Sequence, residues 1–214
     1  MYMSSRAFLV AFLSLDFLFL SIYLYFAGGK WLGYADGVPF YFQIGSDWAV
    51  PEILNYVKWV VAAVAAGALY ARSRDYGHLS LAIIFLVALF DDAGQIHETL
   101  ANHVTNFSFD RGFDIEHGTG ELFVFAGLGL ICGIILVIGL WLASKEIRRQ
   151  MLIASALMFL GVICAVFIDW WHSQYEDGLV IEALLGIVED FGESLATTFV
   201  ATYMLYLLLQ NPTD

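Results

Sequence analysis

Lysine and arginine number nine in the 214 residues, against 21 aspartates and glutamates, and the four types together make up only 14% of the chain. A basic surface able to track a nucleic-acid backbone is therefore excluded. So is the charge-rich exterior of a soluble domain, because 60% of the residues are hydrophobic and the mean hydropathy is +0.75. Cysteine is nearly missing. Cys132 and Cys164 each fall in the middle of an apolar run, which leaves no disulfide framework and no thiolate metal site. There are three prolines, so no proline-rich linker divides the chain, and there is no low-complexity tract or internal repeat. HExxH is absent, as are the histidine boxes expected of membrane desaturases and hydroxylases, and a conventional zinc-protease site is unsupported.

What the chain has in quantity is long apolar sequence. A helix needs roughly 20 such residues to cross a hydrocarbon core of about 30 Å, and six segments qualify, near 7–27, 52–71, 79–100, 120–144, 151–173 and 178–209. The expected fold is an all-α integral membrane bundle of six transmembrane helices, a single transmembrane domain over 1–214. The first segment is long for a signal-peptide core and is read as retained. The last is longer than one crossing requires, so it must tilt, kink or begin outside the bilayer. Arg6, Arg72, Arg74, Lys145, Arg148 and Arg149 fall on one side of this arrangement and only Lys30 and Arg111 on the other. That bias predicts cytoplasmic N- and C-termini, with 28–51, 101–119 and 174–177 on the outer side. "SDWAVPE" before the second segment carries helix-start chemistry, with Ser46 or Asp47 as candidate cap and Pro51 near the first turn. "GLGLICGIILVIG" in the fourth has the small-residue spacing of a close helix contact.

The acids are not scattered. Residues i, i+4 and i+7 share a helix face, and on a continuous third helix that face carries Asp91, Gln95, Glu98 and Asn102, with Asp92 and His97 to either side. Glu182, Gly186, Glu189 and Glu193 make a second stripe, with Asp190 adjoining. Asp169, His172, Ser173 and Glu176 make a third, and Asp114, His117 and Glu121 stand at the start of the fourth segment. In the expected topology all four stripes fall in the outer half of the bundle. Glu121, Glu176 and Glu182 stand at helix ends where water alone could serve them. Asp91, Asp169, Glu189 and Glu193 lie further along apolar runs, where an ionisable residue costs about 2.5–3.5 kcal/mol and is a functional candidate by default. Asp16 in the first segment and Asn55 and Lys58 in the second are placed to line the same cavity or to pair within it. Lys58 alone cannot neutralise so many carboxylates, which leaves bound cations, protons or a water-filled vestibule.

Carboxylates on facing helices can bridge metal ions, and the aspartate and histidine of "DWWH" can reach the same one. Oxygen donors with one or two imidazoles suit Fe, Mn or Zn. The expected cofactor is thus a divalent ion or di-metal centre of unknown identity, with Asp91, Glu98, Asp169, His172, Glu189 and Glu193 as ligands. His97, Asp190, Gln95 and Glu121 would orient those ligands or shuttle protons. The series "DDAGQIHE", "GE" at Gly120 and Glu121, "DWWH" and "EDFGE" resembles the pattern of a group of uncharacterised bacterial polytopic membrane proteins, over roughly residues 50–200. The resemblance implies a bacterial membrane protein and no particular reaction, and the inner (cytoplasmic) membrane is the expected location.

Three functions compete. The first is a metal-dependent enzyme acting on a lipophilic or outer-leaflet substrate, by hydrolysis if the metal is Zn and by oxidation if it is a di-iron pair. The second is a proton- or cation-coupled transporter or channel, although the cytoplasmic halves of the segments are nearly free of polar residues. The third is a non-catalytic metal sensor or a subunit of a larger membrane complex. Membrane lipids and a lipophilic small molecule are the expected partners, and no nucleic acid.

Overall fold

The computed structural model describes residues 4–113, 117–168, 170–171 and 179–210. The described residues form seven helices and one short 3-10 turn: α1 (Ser5–Leu32), the turn Phe40–Phe42, α2 (Val50–Ser73), α3 (Tyr76–Gly94), α4 (Ile96–Phe109), α5 (His117–Leu142), α6 (Lys145–Val162) and α7 (Leu179–Leu209). α6 continues as a π-helix over Ile163–Ile168. All of these helices except α4 are long and apolar enough to cross a membrane, α6 together with its π-helical end and α7 from Leu184 onward. The chain is an integral membrane protein built as an all-α bundle.

α2, α3 and α7 form the buried centre, while α1 and α5 turn most of their surface outward. The centre is made by small residues. Ala62, Ala65 and Ala66 of α2 are fully or almost fully buried, and so are Leu81 and Phe85 of α3, Met151 of α6, and Val200 and Met204 of α7. Alanines let helix backbones approach closely, which is how helices associate where the surrounding lipid is as apolar as the helix itself. At one end of the bundle the turns are tied together. Asp75 caps α3 by accepting from Gly77 N (2.9 Å), and its other oxygen accepts from Ser144 N (3.0 Å) in the turn between α5 and α6. Burial alone would raise the Asp75 carboxyl, but these two N–H groups hold it below its ordinary value. Arg72 donates to the Leu208 carbonyl (2.8 Å) near the end of α7, and the buried His78 sits between Ser73 and Gln150.

Three expectations are corrected. The third segment does not run to residue 100. α3 ends at Gly94, Gln95 takes a left-handed conformation (φ 50°, ψ 40°), and a separate helix, α4, follows. Asp91, Gln95, Glu98 and Asn102 therefore do not share one continuous face, and much of 101–119 is helix rather than loop. The cap of α2 is Ala49, which offers no side-chain oxygen; Asp47 instead accepts from the Gln95 side chain. The glycines of α5 do not serve close contact along their whole run. A Cβ added at Gly127, Gly129 or Gly133 would meet nothing within 4 Å, whereas at Gly120 it would meet Thr105 Oγ1 (2.8 Å) and at Gly139 the side chain of Ser80. Helix packing uses the two ends of α5 and leaves its middle open.

Candidate functional site

α7 carries its polar residues on two faces. Asp190, Ser194 and Thr198, spaced by four, turn toward α1 and α2. Ser194 Oγ donates to Asp16 Oδ1 (2.9 Å) and Thr198 Oγ1 to Asp16 Oδ2 (2.6 Å). Lys58 Nζ completes the group, 2.6 Å from Asp16 Oδ1, 3.1 Å from Asn55 Oδ1 and 2.8 Å from Ser194 Oγ. The two charged side chains are 0% and 1% exposed. Asp190 adjoins this network: with Asp16, Glu52, Asn55 and Ser194 it lines a void of about 10 Å³, the size of one water. Its carboxylate lies against Gly45, where a Cβ would come within 2.6 Å of Oδ2. The loop before α2 is thereby held onto this end of the bundle.

The other face of α7, with Glu193, Ala196 and Thr197, borders a cavity of about 350 Å³ walled by α3, α5, α6 and α7 and by Trp59 of α2. Its polar end is formed by Asp91, Asp92 and Glu193, and the remainder, Thr197 apart, is apolar and includes Cys132 and Met158. Asp92 accepts from Trp59 Nε1 (2.7 Å). Glu193 lies within electrostatic range of Asp92, Glu52, Asp190 and Glu189. The π-helical stretch ends the α6 wall. Its Ala165 and Val166 line the cavity, and Cys164 packs so closely on α7 that a Cβ at Gly192 would lie 2.6 Å from Sγ. The glycine in "EDFGE" is thus a contact point between helices, and the acids on either side of it face different spaces.

Asp91 acts across the break between α3 and α4. Its Oδ1 accepts from His97 N (3.0 Å), one of the free N–H groups at the start of α4, and so caps a helix whose own N-cap, Gln95, offers no side-chain bond. Its Oδ2 lies 3.2 Å from His97 Nδ1, an ion-pair distance without full hydrogen-bond geometry. The imidazole stacks on Phe125, centroids 4.7 Å apart, and Phe125 lines the cavity. Burial opposes the charged form of His97, but the Asp91 carboxylate, helped by Glu98 and Asp92, outweighs it and holds the imidazole above its ordinary range.

The chain belongs to the family DUF8692, a domain of unknown function, whose model matches residues 7–207. No curated protein and no solved structure matches it. The family match agrees with the resemblance to uncharacterised membrane proteins and brings no activity with it.

Of the candidate ligands, Asp91 and Glu193 meet at one cavity. Glu189 lies one turn before Glu193 on α7. Glu98 stands on α4, beyond the left-handed break, within electrostatic range of His97. Asp169, His172, Glu176 and Asp114 lie outside the described residues, as do the side chains of His117 and Glu182. Glu121 is half-buried in the first turns of α5, next to the cavity residue Leu122. Among the described residues no three His, Cys, Asp or Glu side chains converge on a single ion. Lys58 pairs directly with Asp16 and lies within electrostatic range of the cavity acid Glu193. Two participants were missed in the sequence. Glu52 lies within electrostatic range of Asp92, Asp190, Asp47 and Lys58, but an acid beside Pro51 reads as an ordinary helix start. Trp59, the donor to Asp92, reads as one more interfacial aromatic.

Proposed function

We propose that the protein is a membrane-embedded enzyme that draws a lipophilic substrate from the bilayer into the 350 Å³ cavity and acts on its polar end. The observation that carries this reading is the polarity of the cavity, apolar through most of its length and acidic at one end. That is the form of a ligand pocket, in which apolar walls hold the molecule and a few polar groups fix its orientation. A divalent cation supplies the counter-charge, with Asp91 and Glu193 as ligands from the described walls. Asp169 and His172, which lie outside the described residues, remain the candidates that the sequence offers for the rest of the set. Such an ion would polarise the substrate or activate a water. His97, held by Asp91, is the proton carrier beside it. The test is elemental analysis of protein purified without chelators, beside Asp91→Ala, Glu193→Ala and Asp169→Ala. A stoichiometric transition metal lost in all three supports the reading, and wild-type protein free of transition metal overturns it.

A proton-coupled transporter is the second reading, favoured by the Asp16–Lys58 pair on the far face of α7 and by the water-sized void beside it. Glu52 lies within electrostatic range of both Lys58 and Asp92, so titratable groups run from the cavity to the ion pair. Proton flux into vesicles, abolished by Asp91→Asn and by Lys58→Gln, would select it over the enzyme.

A further inference from the structure

We infer that the cavity admits one single-chain amphiphile with an uncharged or cationic head, that this molecule enters sideways between α5 and α6, and that Gly129 sets the width of chain accepted. The inference deepens the substrate reading above and rests on it. The opening follows from the packing. α5 lies against α3 and α4, and α6 against α7 and α3, whereas α5 and α6 touch near their shared turn, where a Cβ at Gly139 would lie 2.8 Å from Met151 Cε, and are not among the main packed pairs of the described residues. Both helices line the cavity, and two of its residues, Leu122 and Val162, are 40% and 42% exposed. A molecule dissolved in the bilayer would therefore meet the cavity from the side.

The dimensions select the occupant. From Leu122 to Cys132 the α5 wall runs about 15 Å at 1.5 Å per residue, and the volume lies near the low end of the 300–1,000 Å³ typical of ligand pockets. That suits one extended chain and not a two-chain phospholipid. Moving an alkyl chain from lipid into a protein cavity gains little hydrophobic free energy, because lipid is already apolar. Fit and head-group contacts must then supply the selectivity. At the head end of the metal-free protein, Asp91, Asp92 and Glu193 line the wall with no lysine or arginine among the lining residues, so an anionic head is repelled. Along the chain, Gly129 lines the cavity, and a side chain added there would project into open space. Gly127 and Gly133 are equally open but do not line it; Gly127 lies on an outer groove between α4 and α5.

The test uses radiolabelled dodecylamine, dodecanol and dodecanoate with the full chain in nanodiscs of zwitterionic phospholipid, after treatment with chelator. Saturable binding of the amine and the alcohol is expected, with dodecanoate weaker by about tenfold or more, a difference of about 1.4 kcal/mol. Gly129→Leu should lose about tenfold in affinity and Gly129→Ala less, while Gly127→Leu and Gly133→Leu, which carry the same change in helix propensity, bind as wild type does. Absence of saturable binding overturns the inference, as does equal behaviour of the three leucine variants or equal affinity for dodecanoate. Because the probes bind chelated protein, chain binding by a metal-free protein would sink the catalytic reading alone. Metal without chain binding would sink this one.

Discussion

Replacing Lys58 by methionine removes the cation paired with Asp16, and the cost can be worked from the contacts. Lys58 Nζ has the Asp16 carboxylate, the Asn55 amide oxygen and both the hydroxyl and carbonyl oxygens of Ser194 within 3.1 Å. Without it, the described donors left to Asp16 are Ser194 and Thr198, beside a water-sized void. Breaking a buried pair by removing one partner costs about 3–5 kcal/mol, whereas replacing both charges with well-packed neutral groups is often neutral or stabilising. For a chain of this size each kcal/mol is about 2–4 °C in Tm, so Lys58→Met should melt about 6–20 °C below wild type. The double variant Asp16→Asn/Lys58→Met should recover most of that loss. Thermal melting in detergent, followed by tryptophan emission, reads both. Additive losses, or a single-variant shift under about 2 °C, would show that the pair is not the buried clamp described above.

His97 gives a stability slope with pH. Its folded-state pKa is raised, so the contribution of the Asp91–His97 pair is complete below about pH 6.5 and fades as pH rises through the raised value. His97→Gln should flatten that part of the Tm profile between about pH 5 and 9, and a wild-type profile parallel to the variant's refutes the pairing. Asp75→Ala removes the cap of α3 and the bond to Ser144 N, and should cost about 1–3 kcal/mol. Since the Asp75 pKa is depressed, its contribution is present above about pH 3.9 and is lost as pH falls through the lower folded value, so the deficit should shrink in acid. Gly192→Ala drives a methyl against Cys164 Sγ and should cost about 1–3 kcal/mol. Cys164→Ala should relieve part of that, giving a coupling of at least about 0.5 kcal/mol in a double-mutant cycle.

The six spans were legible because apolar length is a strong signal that tertiary context cannot reverse. The break at Gln95 was not. Glutamine is not among the glycine, asparagine and aspartate that commonly mark a left-handed residue, and Asp91, Gln95, Glu98 and Asn102 fit a continuous helix so well that periodicity argued for the wrong geometry. What holds the break is in part non-local, the Asp47 carboxylate on the Gln95 side chain, and in part the local cap that Asp91 places on His97 N. Glu189 and Glu193 stood out because carboxylates are costly in lipid. Ser194 and Thr198, on the same helix at the same spacing as Asp190, were overlooked because a hydroxyl inside a helix carries no such penalty and announces nothing. The pairing of Lys58 with Asp16, 42 positions apart, was left open by the sequence, since helical spacing fixes the direction of a residue on its own helix and not which neighbour it will meet.

The break at Gln95 also sets the length of α3, which stops at 19 residues. Had the helix from Tyr76 run straight through to Phe109, it would have measured about 50 Å, far more than a 30 Å core can hold upright. Broken at one residue, the surplus becomes a separate helix packed on α5.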